Sequence, residues 1–174
     1  MNASFARSKA ERIIEELGIQ SPPVDIEHVA RSLGLRIVYA DLGQEVSGLL
    51  VSNGDSAYVC VRKQDHINRR RFTIAHEIGH FSLGHQAQNG EHVLVDKGYF
   101  ISQRGVRASF GEDPNEIEAN QFAACLLMPS KILRARVAAL AGGPLLDYQV
   151  ISLAKDFRVS EQSMTIRLTT LGLL

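Results

Sequence analysis

The stretch from Arg69 to His85, RRRFTIAHEIGHFSLGH, decides the fold that this sequence predicts. Apart from His76, Glu77 and His80, its central residues are apolar all round a helix, and Gly84 follows where helices commonly end, so we expect a buried helix. His76 and His80 stand four residues apart, which places both imidazoles on one face of that helix. Neutral imidazoles bind zinc, and the adjacent Glu77 is suited to act as general base toward a water beside the metal. The stretch therefore predicts a metal-binding helix with the pattern H-E-x-x-H.

Three other features of this helix have structural consequences. Asn68 is a candidate N-cap, because its side chain can accept a hydrogen bond from the first turn. The basic run Arg69 to Arg71 is short, and we interpret it as a solvated first turn. Gly79 costs about 1 kcal/mol relative to alanine inside a helix, so we expect it to allow another backbone to approach closely.

Two histidines leave a catalytic zinc one protein ligand short. His85 is one candidate, although it lies five residues after His80, whereas the third histidine of the metzincin pattern lies six residues after the second. The others are carboxylates of a following helix: Glu112, Asp113, Glu116 and Glu118. Glu116 is preferred because small residues, Ala119 and Ala123 among them, let its face approach the first helix, and Asn120 can hydrogen-bond a ligating imidazole. Glu118 lies about 200° around the helix from Glu116 and is expected to be solvated.

Composition limits the class of protein. The 174 residues fit one domain, 1–174, with a helical C-terminal subregion at about 145–174. Lysine plus arginine equal aspartate plus glutamate at 19 each, which disfavours a charge-driven nucleic-acid binder. Cys60 and Cys125 lie in apolar runs and are interpreted as buried free thiols, typical of a reducing compartment. With no signal peptide or membrane span in the sequence, we expect a cytoplasmic protein.

The rest of the chain predicts an α+β fold. An Asn53-Gly54 pair between two apolar runs indicates a hairpin, and three runs together indicate a small, mainly antiparallel sheet. Asp113 and Pro114 supply a cap and a first-turn proline for the helix that carries Glu116. Residues 86–112 are expected to form a flap or rim with one possible strand at 91–95. The predicted strands are 35–40, 46–52 and 57–62, and the predicted helices are 4–17, 24–33, 69–84, 115–128, 130–141, 145–157 and 160–171.

Several segments resemble one known family. FTIAHEIGHFSLGH followed by EIEANQFAACLLMPS is similar to the ImmA/IrrE family of zinc-dependent peptidases, and PPVDIEHVARSLGLRIVYADL, VSGLL and the closing LAKDFRVSEQSMTIRLTTLGLL are also similar to family segments. The resemblance implies a zincin-like domain in which His76, His80 and Glu116 bind zinc and Glu77 is catalytic. It also implies a regulatory endopeptidase that cleaves or inactivates helix-turn-helix repressors of mobile elements or stress genes.

Two further functions remain open: a metal-dependent switch that binds a partner without cutting it, and a toxin-like partner of an antitoxin. The tail from Leu153 to Leu168 has a superficial helix-turn-helix pattern, but its basic groups are offset by acids, so direct DNA binding is not expected. Zincin-type enzymes commonly bind the substrate backbone along a strand, for which residues 46–52 or 57–62 are the candidates. Tyr99, His85 and His92 are interpreted as surface residues, and none is assigned to stabilising the oxyanion.

Overall fold

The computed structural model describes residues 3–52, 56–85, 92–96, 113–140 and 143–174. Within these ranges the chain forms seven helices and four strands, which confirms the α+β prediction. The helices are α1 (Ala3–Glu16), α2 (Ile26–Ser32), α3 (Ile67–Leu83), α4 (Pro114–Leu127), α5 (Ser130–Ala139), α6 (Asp147–Phe157) and α7 (Glu161–Thr170). The strands are β1 (Leu35–Ala40), β2 (Gly48–Ser52), β3 (Ala57–Arg62) and β4 (His92–Asp96). The expected flap at 86–112 otherwise lies outside the described residues.

The four strands form one mixed sheet in the order β1-β3-β2-β4. β2 is antiparallel to both β3 and β4, whereas β1 runs parallel to β3. The predicted hairpin is confirmed by the pairing of Ser52 with Ala57, while Asn53 and Gly54 lie outside the described residues. The prediction that β2 or β3 offers a free edge to a substrate is wrong, because each is hydrogen-bonded on both sides. Among the described strands the edges are β1 and β4.

Helix α3 lies between the sheet and α4. On the sheet side, a methyl group added at Gly48 of β2 would lie 2.4 Å from Cγ2 of Thr73. On the other side, a methyl group at Gly79 would lie 3.2 Å from both Cα and the carbonyl oxygen of Ala119 in α4. Such a distance is shorter than an ordinary contact, so the close backbone approach expected at Gly79 is confirmed. Ala119 and Ala123 are fully buried at this interface.

The start of α3 anchors the C-terminal helices. Asn68 does not cap α3; its Nδ2 donates to the carbonyl of Val159 at 3.0 Å, and His66 is the N-cap instead. Arg71 is buried and donates to the carbonyls of Val24 and Arg158, so the interpretation of a solvated first turn is wrong at this residue. These long-range bonds fix the turn between α6 and α7 against α3.

The buried side chains form one core that includes residues of α6 and α7, among them Phe157, Met164 and Leu168. Both cysteines are free thiols, but only Cys125 is buried; Cys60 on β3 is half-buried, which corrects the expectation for that residue. Among the described residues, no helix combines the length and apolar character needed to cross a bilayer.

Candidate metal centre

His76 and His80 project from one face of α3, as their spacing predicts. Both are buried, at 3% and 4% exposure, and their Nε2 atoms lie 2.9 Å apart. The rest of α3 around them is largely apolar and buried, so the two imidazoles form a polar site inside the protein. Buried imidazoles at this distance need a shared proton or a shared ion to avoid opposing lone pairs.

Glu116, in the first turn of α4, completes a three-residue cluster. Its Oε2 lies 3.2 Å from Nε2 of His76 and its Oε1 lies 3.2 Å from Nε2 of His80. Asp113 places this turn by accepting a hydrogen bond from the backbone of Asn115, so Asp113 is a cap and lies outside the cluster. Hydrogen bonds from ring N–H groups of His76 and His80 hold the pKa of the Glu116 carboxyl well below its usual range, and a metal ion would take the place of those protons.

The donor set fits zinc. The potential ligand atoms of His76, His80 and Glu116 all lie within 4.8 Å of one another. Two ligands at about 2.0–2.1 Å from one tetrahedral zinc are separated by about 3.3 Å, close to the distances found here. Two imidazole nitrogens and one carboxylate oxygen also leave a fourth position for water, the arrangement of catalytic zinc sites.

Asn120, one turn after Glu116, orients His76. Its Oδ1 lies 3.0 Å from Nδ1 of His76, as the sequence predicts. Because an amide oxygen only accepts, Nδ1 carries a proton, and Nε2 is the nitrogen that faces the cluster and can bind a metal ion. One helix thus supplies both a candidate ligand and the group that selects the histidine tautomer.

A second hydrogen-bonded chain reaches His80. Nδ1 of His85 lies 3.1 Å from Nδ1 of His80, and Nε2 of His85 lies 3.2 Å from Oε2 of Glu118. All three side chains are buried, so the expectations of a surface His85 and a solvated Glu118 are both wrong. His85 meets His80 through the ring nitrogen that faces away from the cluster, and the candidate metal ligands that the structure brings together do not include it.

Glu77 lies on the side of α3 that faces the sheet. It is almost fully buried, and Oε1 is close enough to β2 that a methyl group at Gly48 would lie 2.9 Å from it. Local sequence patterns do not mark Gly48 as a site residue. Its place in the VSGLL segment, which is similar to a family segment, is the one feature that points to it. The missing side chain leaves room for the Glu77 carboxylate beside the backbone of β2.

Three further candidates from the sequence lie wholly or partly outside the described residues. Glu112 and Tyr99 lie outside the described residues, and only the backbone of His92 is described. For these residues the sequence interpretation stays a prediction.

Comparisons with known proteins give one family match. The family model Peptidase_M78, the IrrE N-terminal-like domain, matches residues 30–169. A solved structure described as a Mycobacterium tuberculosis transcriptional regulator is similar with a TM-score of 0.56 and 21% identity. The similarity covers 94% of this chain and 46% of that one, so the chain spans less than half of that protein's length. No match to a curated protein was found.

Proposed function

Because the chain belongs to the Peptidase_M78 family of IrrE N-terminal-like domains, we propose that it is a zinc-dependent endopeptidase that cleaves a regulatory protein. The observation that carries the proposal is the triangle of His76, His80 and Glu116, with separations of 2.9, 3.2 and 3.2 Å. The resemblance to ImmA/IrrE peptidases supports a helix-turn-helix repressor as the substrate, and an antitoxin is the alternative partner.

The chain's own residues divide the work of hydrolysis. Zinc, when bound, supplies a Lewis acid that makes a neighbouring water acidic and polarises a peptide carbonyl. Glu77 then removes a proton from the attacking water and delivers it to the leaving amine. Asn120 and the His85 chain hold the two imidazoles in orientation, so little reorganisation is needed during the reaction.

The test is incubation of the zinc-loaded protein with a purified helix-turn-helix repressor, chosen from the reading frame beside its own, followed by intact-mass spectrometry. We expect new termini that disappear with a chelator and with Glu77→Gln. Glu77→Gln should still bind zinc, because Glu77 is not a ligand. The matched control is Glu45→Gln, an exposed residue that should cleave normally.

Other outcomes discriminate between functions. A stable, intact complex between the repressor and the zinc-loaded protein would contradict the peptidase and favour the metal-dependent binding module. An intact complex with an antitoxin-like protein encoded beside it would favour a function as the toxin-like partner of that antitoxin. Cleavage by Glu77→Gln at the native rate would refute the assignment of the base.

A further inference from the structure

A cavity of about 680 Å³ opens beside the metal centre, between α3, α4 and α7. We propose that it binds a large apolar side chain next to the scissile bond of an extended peptide, with α7 as the wall that selects that side chain. The inference rests on the proposed function and specifies its substrate class.

The position of the cavity connects it to the chemistry. The lining includes His76 and its hydrogen-bond partner Asn120, together with Gln162, Ile166 and Thr170 of α7. A peptide whose carbonyl lies at the metal centre therefore has an adjoining space for a neighbouring side chain. The volume falls within the range of about 300–1,000 Å³ typical of ligand sites, so more than one side chain fits.

Part of the lining is apolar, and α7 contributes Ile166 to it beside polar residues. Ile117 of α4 and Ile166 of α7 both border the cavity and remain 43% and 48% exposed. Phe72, Ala124 and Met128 add further apolar surface. Exposed apolar groups gathered in a concave, polar-rimmed site are typical of binding surfaces, because a ligand that covers them releases their water.

The charge of the lining excludes one class of side chain. Among the described residues that line the cavity there is no aspartate or glutamate, whereas Arg69 and Arg167 are both present. A lysine or arginine of the substrate would lose water there and meet like charge. Leucine, isoleucine, methionine and phenylalanine are therefore the expected occupants.

The wall is fixed before any peptide binds. Nε of the buried Arg167 donates to the carbonyl of Met128 at the end of α4, at 3.1 Å. At the other end of α7, Asn68 of α3 holds the carbonyl of Val159. These two bonds join α7 to the helices that carry the candidate ligands, so the cavity is preformed and little ordering is needed on binding.

The test is peptide binding to zinc-loaded Glu77→Gln, which requires no hydrolysis. The probes are acetyl-Ala-Ala-Xaa-Ala-Ala-amide peptides with Xaa as leucine, alanine or lysine, observed through isoleucine methyl NMR signals. We expect the leucine peptide to shift the methyl signals of Ile117 and Ile166. It should bind at least about tenfold more tightly than the alanine peptide, and the lysine peptide should bind most weakly. Ile37 on β1 is the internal control and should not shift.

A matched pair of variants tests the role of α7. Ile166→Lys should abolish the leucine preference, whereas Thr165→Lys, on an exposed neighbouring position outside the lining, should retain it. Equal binding of all three peptides, or a response of Ile37 equal to that of Ile166, would overturn the proposal. Leucine-selective binding without repressor cleavage would refute the proposed function and leave the cavity assignment intact. Repressor cleavage without leucine selectivity would refute the cavity assignment and leave the proposed function intact.

Discussion

At the scale of residues, hydrogen bonds determine where the protons of three buried side chains lie. Nε2 of His80 faces His76 and Glu116, so its lone pair is the one available to a metal and Nδ1 carries the proton. That proton is donated to Nδ1 of His85, whose Nε2–H then donates to Glu118. The arrangement requires a neutral His85, and burial, the largest cause, lowers the pKa of that imidazole.

His85→Phe should weaken zinc binding by about 10–100-fold, the usual cost of losing the partner of a ligating histidine. Competition with a chromophoric chelator measures the affinity, and ¹⁵N NMR of the His80 ring reports whether its tautomer is lost. His28→Phe, at an exposed position on α2, is the control. An unchanged affinity and an unchanged His80 tautomer would rule out this orienting role.

Gly48 is required by the close approach of β2 to the side of α3 that carries Thr73 and Glu77. Gly48→Ala places a methyl group 2.4 Å from Thr73 and 2.9 Å from Glu77, so the side chains must move. We expect a loss of about 1–3 kcal/mol in the free energy of unfolding, measured by urea denaturation, and a larger loss of cleavage than of zinc affinity. Gly43→Ala has open space around the new methyl group and should leave both unchanged. Equal behaviour of the two variants would contradict this account of Gly48.

At the scale of elements, local patterns predicted the helices well and their ends less well. The periodicity around His76 and the cap at Asp113 depend on residues within one or two turns, and both predictions are confirmed. The predicted N-cap at Asn68 is wrong because its amide donates to the carbonyl of Val159, 91 positions along the chain. A pattern of neighbouring residues does not contain that contact. The direction of β1 likewise depends on its distant partner β3.

The contact between α2 and β1 gives a prediction about pH. The hydroxyl of Tyr39 donates to the carboxylate of Glu27. Burial, followed by this hydrogen bond, raises the pKa of Tyr39 to about 12. The folded state therefore favours the neutral phenol: the resulting stabilisation is complete below about pH 10, the pKa of an unperturbed tyrosine, and is lost as the pH rises toward 12.

Ultraviolet titration of the phenolate measures this shift, with Tyr39→Phe identifying the signal by difference. Glu27→Gln should lower the pKa of Tyr39, because it removes the negative charge but retains an acceptor. A Tyr39 that titrates near pH 10 in the native protein would contradict the contact.

At the scale of the whole molecule, the site joins residues that are distant in sequence. The three candidate ligands and Asn120 could be predicted, because each lies on a helix face that the sequence defines. The buried pair His85 and Glu118, the anchoring role of Arg71 and the cavity beside α7 could not. They depend on which faces of separate helices meet, and an isolated pattern of charges does not distinguish a buried carboxylate from a solvated one.

Zinc should also stabilise the whole protein, because its candidate ligands join α3 to α4. A ligand at about 100 times its dissociation constant adds about 2.7 kcal/mol, which corresponds to a rise of about 5–10 °C in Tm for a chain of this size. Calorimetry with and without a chelator measures the shift. Glu116→Ala should reduce it strongly and the exposed control Glu45→Ala should not. If a chelator leaves the Tm of the native protein unchanged, the result would contradict a zinc site between α3 and α4.

The most direct test of the central claim is anomalous diffraction at the zinc absorption edge from crystals of the zinc-loaded protein. We expect one strong peak at about 2.0–2.2 Å from Nε2 of His76, Nε2 of His80 and a carboxylate oxygen of Glu116, with a position left for water. A peak elsewhere, or a Glu116 carboxylate turned away from both histidines, would contradict the pairing of α3 and α4 across one zinc.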